Sequence, residues 1–273
     1  MLNTPSRLAQ RLPAIVILAA VMAISGCQKD AEPTAPTDTQ NTEITNNQAN
    51  TTSVDANADA PTDMQVNDAP ITILALGDSL TEGLGVDKDD NYPAQLEDRL
   101  QAMGYKNTEV VNSGLSGETS TGLVNRLDWV LQTKPDVTIL TIGANDAIRG
   151  IDVATIEANI RTAVKRLQDN GSVVILGGMS IYDNLGDDYV AAFSDIYPRV
   201  AKDMNVPLIP FFLEGVGGDA ELNQADAIHP TKEGYTIIVN DNILPILEPT
   251  LQEVTAAESS QADTTKNTTN EST

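Results

Sequence analysis

The chain has 273 residues and carries 16 Lys and Arg against 39 Asp and Glu, a formal net charge of -23 at pH 7. Such acidity excludes nucleic acid as a partner, because nothing here could neutralise a phosphate backbone. One cysteine and one histidine exclude an internal disulfide, a zinc centre built on several thiolates and any metal site needing two histidines, so no metal and no cofactor are expected.

At the N-terminus Arg7 and Arg11 precede an apolar run from Leu12 to Ile24, followed by small residues. That is the pattern of an export signal, and the run is too short to span a membrane comfortably. The junction Ile24-Ser25-Gly26-Cys27 resembles the bacterial lipobox. The resemblance implies that residues 1–27 are a lipoprotein signal peptide and that Cys27 is lipidated and becomes the new N-terminus. Several acyl chains would anchor the protein stably where one would not. Gln28 stands where an Asp would mark inner-membrane retention, so the expected location is the cell envelope, at the outer membrane, with the folded domain in the periplasm or at the cell surface.

Residues 28–70 are rich in Thr, Asn, Asp, Ala and Pro and contain no aromatic residue. Such a stretch cannot bury enough apolar surface to offset its ordering entropy, and it reads as a disordered acidic linker. Residues 252–273 have the same character and read as a disordered tail.

Between them, residues 71–251 alternate two kinds of segment. Short β-branched or aliphatic runs stand at 71–76, 108–112, 136–142, 173–176 and 206–209, as in buried parallel strands. Helical patterns lie at 93–103, with Pro93 in the first turn, and at 121–132, with Leu123, Leu127 and Val130 on one face. A third, at 154–168, repeats Ile156, Ile160, Val164 and Leu167. A fourth, at 189–204, is expected to be interrupted or bent near Pro198, and a fifth, at 231–243, is capped by Thr231 and followed by Pro245. Strand and helix in alternation give one α/β domain with a doubly wound parallel sheet, whose function collects at the carboxyl ends of its strands.

Three loops fall at that edge: Gly77-Asp78-Ser79-Leu80, Asn112-Ser113-Gly114 and Gly143-Ala144-Asn145-Asp146. Asp226-Ala227-Ile228-His229-Pro230 comes just before the last helix. Topology can bring a serine, an asparagine and an Asp/His pair together there.

Those residues resemble the SGNH hydrolases of the GDSL family. GDSL stands at 77–80, and the four family blocks are matched by Ser79, Gly114, Asn145 and His229, with Asp226 completing Asp-x-x-His. Residues 77–92, 143–150 and 197–212 are similar to bacterial arylesterases of the multifunctional thioesterase I/lysophospholipase L1 type. The resemblance implies a three-layer α/β/α sandwich around a mostly parallel, five-stranded, flavodoxin-like sheet. It also implies Ser79 as nucleophile, His229 as base, Asp226 as the acid that fixes the tautomer, and the Ser79 and Gly114 amides with the Asn145 side chain as oxyanion donors. The chemistry fits these residue types: a serine hydroxyl is a weak nucleophile until a base takes its proton, and an oxyanion needs donors aimed at it. Asp78, Asp146 and Arg149 read as loop supports, the last two able to form a salt link, with substrate contact as the alternative. Near relatives carry a proline-rich turn where this chain has Met179 to Gly186, with Tyr182 and Asp183 in place of the prolines, so the resemblance does not carry the relatives' acyl-chain preference over to this chain.

The function implied is a serine esterase acting on aryl or acyl carboxylic esters, and on thioesters or lysophospholipids. A carbohydrate O-acetylesterase is the alternative within the superfamily, and a noncatalytic envelope lipoprotein the alternative of another class. Expected partners are a small-molecule or lipid ester and, through the anchor, the membrane; a monomer is expected.

Overall fold

The computed structural model describes residues 69–182 and 185–270. Cys27, the linker to residue 68 and Asp183 lie outside the described residues. Five strands, β1 (Ile71–Gly77), β2 (Thr108–Gly114), β3 (Val137–Thr141), β4 (Val173–Gly177) and β5 (Leu208–Ile209), form one sheet in the order β2-β1-β3-β4-β5. Every pairing is parallel. All five residues of β3 are buried, as are six of the seven in β1, which is why both read as continuous β-branched and aliphatic runs rather than alternating apolar and charged ones.

Crossovers with helices cover both faces. One layer holds α2 (Tyr92–Ala102), α8 (Lys232–Ile237) and α9 (Leu244–Asn270); the other holds α3 (Ser120–Val130), α5 (Val153–Asp169) and α7 (Ile196–Met204). Asn91, Thr119, Asp152 and Thr231 cap α2, α3, α5 and α8 with side-chain oxygens, each satisfying a first-turn amide that has no partner inside its helix. Pro93 sits in the first turn of α2, where its missing N–H costs nothing.

The interruption expected near Pro198 is present: the segment over 189–204 is two helices, α6 (Asp187–Ser194) and α7, which join at Asp195. Pro198 has no N–H for the Ser194 carbonyl, so the break falls one turn before the proline. Two expectations are corrected. The helix over 231–243 does not end at Pro245. Residues Ile238–Ile243 widen into π-type turns, the Leu244 N–H reaching back to the Val239 carbonyl, and α9 continues through the proline. Burial of Ile243, Leu247 and Leu251 holds that path against the lost backbone bond. The stretch from 252, read as a disordered tail, is helical to Asn270. Val254 carries the apolar stripe one turn past Leu251, and residues 252–270 contain neither Gly nor Pro to stop the helix.

Sheet order fixes where a ligand can sit. From β1 the chain turns to one side to form β2 and then crosses to the other to form β3. The carboxyl ends of β1 and β3 therefore flank the crevice of this strand order.

Candidate active site

At the end of β1, Gly77 lets three elements meet. A Cβ there would lie 2.3 Å from Thr81 Oγ1 and 2.4 Å from the Thr141 carbonyl oxygen, so any other residue would push β1 from β3. The chain then enters the short helix α1 (Ser79–Glu82), capped by Asp78, whose Oδ1 accepts from Leu80 N–H at 3.1 Å. This places Ser79 in the first turn, with its backbone N–H facing no acceptor among the described residues.

His229 reaches Ser79 from the loop before α8. Its Nε2 lies 2.8 Å from Ser79 Oγ, and its Nδ1 lies 2.7 Å from Asp226 Oδ2. An ionised carboxylate can only accept, so Nδ1 carries the hydrogen and the neutral imidazole turns its Nε2 lone pair toward the serine hydroxyl. Asp226 also accepts the backbone N–H groups of Ile228 at 2.9 Å and His229 at 3.0 Å on Oδ1. The His229 backbone bond, then the His229 side chain and the Ile228 amide, hold this carboxyl down to about 2. It stays ionised at any pH where a histidine base could work. Asp226 and His229 form one turn, closed further where Gln224 N–H donates to the His229 carbonyl at 2.8 Å. Gln224 Nε2 ties the same turn to the Leu84 carbonyl behind α1 at 2.7 Å.

Asn145 lies in the first turn of α4 (Ala144–Ile148), so the loop expected after β3 is helical. Asn145 Nδ2 donates one hydrogen to Asp78 Oδ2 at 3.1 Å and keeps a second. Asp78 is 2% exposed. Burial raises its carboxyl to about 6, against the opposing pull of the Leu80 and Asn145 bonds and of His229.

Gly114 does not stand ready as an amide donor. Its N–H is taken by Asn112 Oδ1 at 2.9 Å, and the place of its Cβ is occupied by the Glu82 amide nitrogen at 2.0 Å. This glycine serves the close passage of β2 under α1. Three residues on, Gly117 has φ +75° and an N–H with no acceptor among the described residues. Arg149 Nη2 holds the Gly117 carbonyl at 2.9 Å and Nη1 reaches the Asn145 carbonyl at 3.5 Å. Arg149 thus joins these two loops and forms no ion pair with Asp146. Asp146 is fully buried and accepts from Ser120 N–H at 2.7 Å and Ser120 Oγ–H at 2.6 Å.

Sequence reasoning missed the clamp beneath these loops. Arg126 donates to Glu118 Oε1 at 2.7 Å and Oε2 at 2.5 Å, to Ser113 Oγ and the Ser113 carbonyl, and to the Gly77 carbonyl at 3.4 Å. One guanidinium therefore holds the ends of β1 and β2 to the start of α3, using the fork geometry a lysine lacks. Tyr235, fully buried on α8, donates to the Leu80 carbonyl at 3.0 Å. Tyr182, on the departing turn, donates to the Ala227 carbonyl at 2.8 Å, and Ala227 is one of three non-glycine residues with positive φ among the described residues.

Ser79, Asn145 and His229 open into a cleft of about 680 Å³. Its other lining is largely apolar: Leu80, Ile148, Met179, Ile181, Leu185, Phe211, Leu213 and Ile228. Among the described residues no cluster of His, Cys, Asp and Glu could hold a metal ion. The arrangement can activate a hydroxyl, stabilise a developing oxyanion and shelter an apolar group beside both.

The chain matches the GDSL-like lipase/acylhydrolase family over residues 75–237. It is 38% identical to esterase TesA of Pseudomonas aeruginosa, covering 66% of this chain and 89% of that protein. It is 35% identical to thioesterase 1/protease 1/lysophospholipase L1 of Escherichia coli K12, covering 62% of this chain and 80% of that protein. A crystal structure of TesA superposes with a TM-score of 0.62 at 37% identity, over 65% of this chain and 98% of that one. The esterase EstA from Pseudoalteromonas, inhibited by monoethylphosphonate, gives a TM-score of 0.63 at 31% identity, over 66% of this chain and 98% of that one.

Proposed function

We propose, from the premise that the chain belongs to the GDSL-like lipase/acylhydrolase family of esterases, that it hydrolyses acyl esters through an acyl-enzyme on Ser79. The observation that carries the reading is the continuous chain Asp226–His229–Ser79, with separations of 2.7 and 2.8 Å, opening onto an apolar cleft. Ser79 Oγ attacks the ester carbonyl carbon as its proton passes to His229 Nε2. Asp226 stabilises the imidazolium, and the carbonyl oxygen takes the negative charge. The Ser79 N–H and Asn145 Nδ2 donate to that oxygen, and Gly117 N–H replaces Gly114 as the third donor. The carbon–oxygen bond to the leaving group breaks as His229 returns the proton to it. Water then repeats the sequence, His229 taking its proton, and the acid is released from Ser79.

The lining favours a hydrocarbon acyl group over a sugar-bound acetate, because apolar walls cannot satisfy carbohydrate hydroxyls. Rates on p-nitrophenyl esters of increasing chain length, on lysophosphatidylcholine, on palmitoyl-CoA and on acetylated xylan test this. We expect kcat/KM to rise from acetate to medium chains, by about tenfold for each 1.4 kcal/mol of added burial. A preference for acetylated xylan over every acyl ester would transfer the assignment to the carbohydrate class.

The sequence around Cys27 supports a lipid anchor at the outer membrane. CoA esters would seldom reach an enzyme there, so the proposed natural substrate is a lipid-derived or extracellular acyl ester. Cells fed labelled palmitate should mark the wild type and leave Cys27→Ser unlabelled; equal labelling of both would remove the anchor.

A further inference from the structure

We propose that Asp78 is a positioning residue for the oxyanion site, its carboxylate holding the Asn145 side chain with Nδ2, rather than Oδ1, turned toward the developing oxyanion. The inference rests on the esterase reading above and adds to it the group that sets the polarity of this donor.

An amide side chain is nearly symmetric in shape and opposite in charge at its two ends. Turned the wrong way, Asn145 would set a lone pair against the oxyanion instead of a hydrogen. Nothing within an asparagine chooses between the two. Among the described residues no donor faces Asn145 Oδ1, and the side chain's one protein partner is Asp78 Oδ2, at 3.1 Å from Nδ2. A carboxylate accepts and cannot donate, so it selects Nδ2. The second hydrogen of that nitrogen is left for the substrate.

Asp78 is itself held. Its Oδ1 receives Leu80 N–H at 3.1 Å in the helix that begins with Ser79, and it is 2% exposed. One carboxylate therefore spans the nucleophile's helix and the Asn145 loop, linking the ends of β1 and β3. A buried carboxyl raised to about 6 is a costly means of holding a loop, and its ionised form has a use only where a fixed acceptor is needed. The charged and titratable groups that act on it are His229, which favours its ionisation, and Glu118, which opposes it. Burial raises the hydroxyls of Tyr92, Tyr197 and Tyr235, and the charge of Asp78 adds a smaller push in the same direction.

Asp78→Asn tests the role. The new side chain has nearly the same shape and keeps an acceptor for Leu80, but it presents an NH2 to Asn145, which must then answer with Oδ1. We expect kcat on a soluble p-nitrophenyl ester to fall about 100- to 1,000-fold, as for Asn145→Ala, with KM within about threefold of wild type. Added to Asn145→Ala, Asp78→Asn should cost less than about threefold more, because both act through one donor. Near-wild-type turnover by Asp78→Asn, or losses that multiply in the double variant, would overturn the proposal. Full activity in Asn145→Ala and in Ser79→Ala would instead overturn the esterase reading beneath it.

Folding of the variant is read from thermal unfolding against pH. The native carboxyl lies above its ordinary value of 3.8, so its contribution to stability is full below that value and is lost as pH rises through about 6. Asp78→Asn has nothing to ionise and should gain on the wild type over that interval. Should this variant not fold, the side-chain amide resonances of Asn145 in His229→Ala, which has no imidazole to titrate, decide the matter. They should shift as Asp78 takes up its proton, with a midpoint above the wild-type value of about 6 because His229 no longer favours the ionised form, and resonances that do not move between pH 4 and 9 would overturn the proposal.

Discussion

Ser79→Ala should fold as the wild type does and lose about four to six orders of magnitude in kcat/KM on any ester the enzyme accepts. In the proposed mechanism the serine Oγ, 2.8 Å from His229 Nε2, is the atom that forms the covalent bond, and its removal leaves only oxyanion donors and binding. His229→Ala should be nearly as damaging, because no other imidazole exists in the chain to take the proton. The double variant should be little worse than either single one, since nucleophile and base act as a unit. A histidine variant within tenfold of wild type would show that another group activates the serine.

The largest stability effect should come from Arg126, outside the catalytic groups. Its guanidinium pairs with Glu118, whose side chain is 3% exposed, and binds the carbonyls of Gly77 and Ser113 as well. Arg126→Met keeps the aliphatic stem and leaves a buried carboxylate without its partner. That should cost about 3–5 kcal/mol in urea unfolding, and lower the midpoint of thermal unfolding by about 10 °C for a domain of this size. Adding Glu118→Gln should restore part of the loss, since it removes the stranded charge. A loss below about 1 kcal/mol for the single variant would mean that water or a shift of α3 takes over the carboxylate.

The strands, and the meeting of Ser79, Asn145 and His229 at one sheet edge, were legible in the sequence because each rests on a local signal. Ile71 to Leu76 and Val137 to Thr141 are β-branched or aliphatic on both faces, as suits central parallel strands. Ser79, Asn145 and His229 each follow a strand or precede a helix, so topology alone assembled them. Where the reading failed, the deciding interactions were remote in sequence. Gly114 looked like a donor because it is a glycine at a strand end, yet α1, more than thirty positions earlier, fills the space beside it. Gly117 carried no local mark except its residue type. The proline at 245 read as a stop because its local effect is to break helices, while burial of Leu247 and Leu251 overrode it. Arg126 and Glu118 lie eight residues apart, and nothing in that spacing reveals that Arg126, paired with Glu118, also reaches the ends of β1 and β2. The hydroxyl of Tyr182, seen only as a departure from a proline-rich turn, meets a carbonyl 45 positions away.

The proposed chemistry turns on one covalent bond, and its most direct test is to trap it. A fluorophosphonate carries a phosphorus centre that Ser79 Oγ can attack, expelling fluoride and leaving a stable adduct in place of the acyl-enzyme. Incubated with the active enzyme and mapped by peptide mass spectrometry, the reagent should modify Ser79 once per chain, in step with loss of esterase activity. Labelling should slow by orders of magnitude in His229→Ala, where the base 2.8 Å from the hydroxyl is missing. Full inactivation with the adduct on another residue, or an enzyme that stays active and unlabelled under excess reagent, would contradict a Ser79 acyl-enzyme.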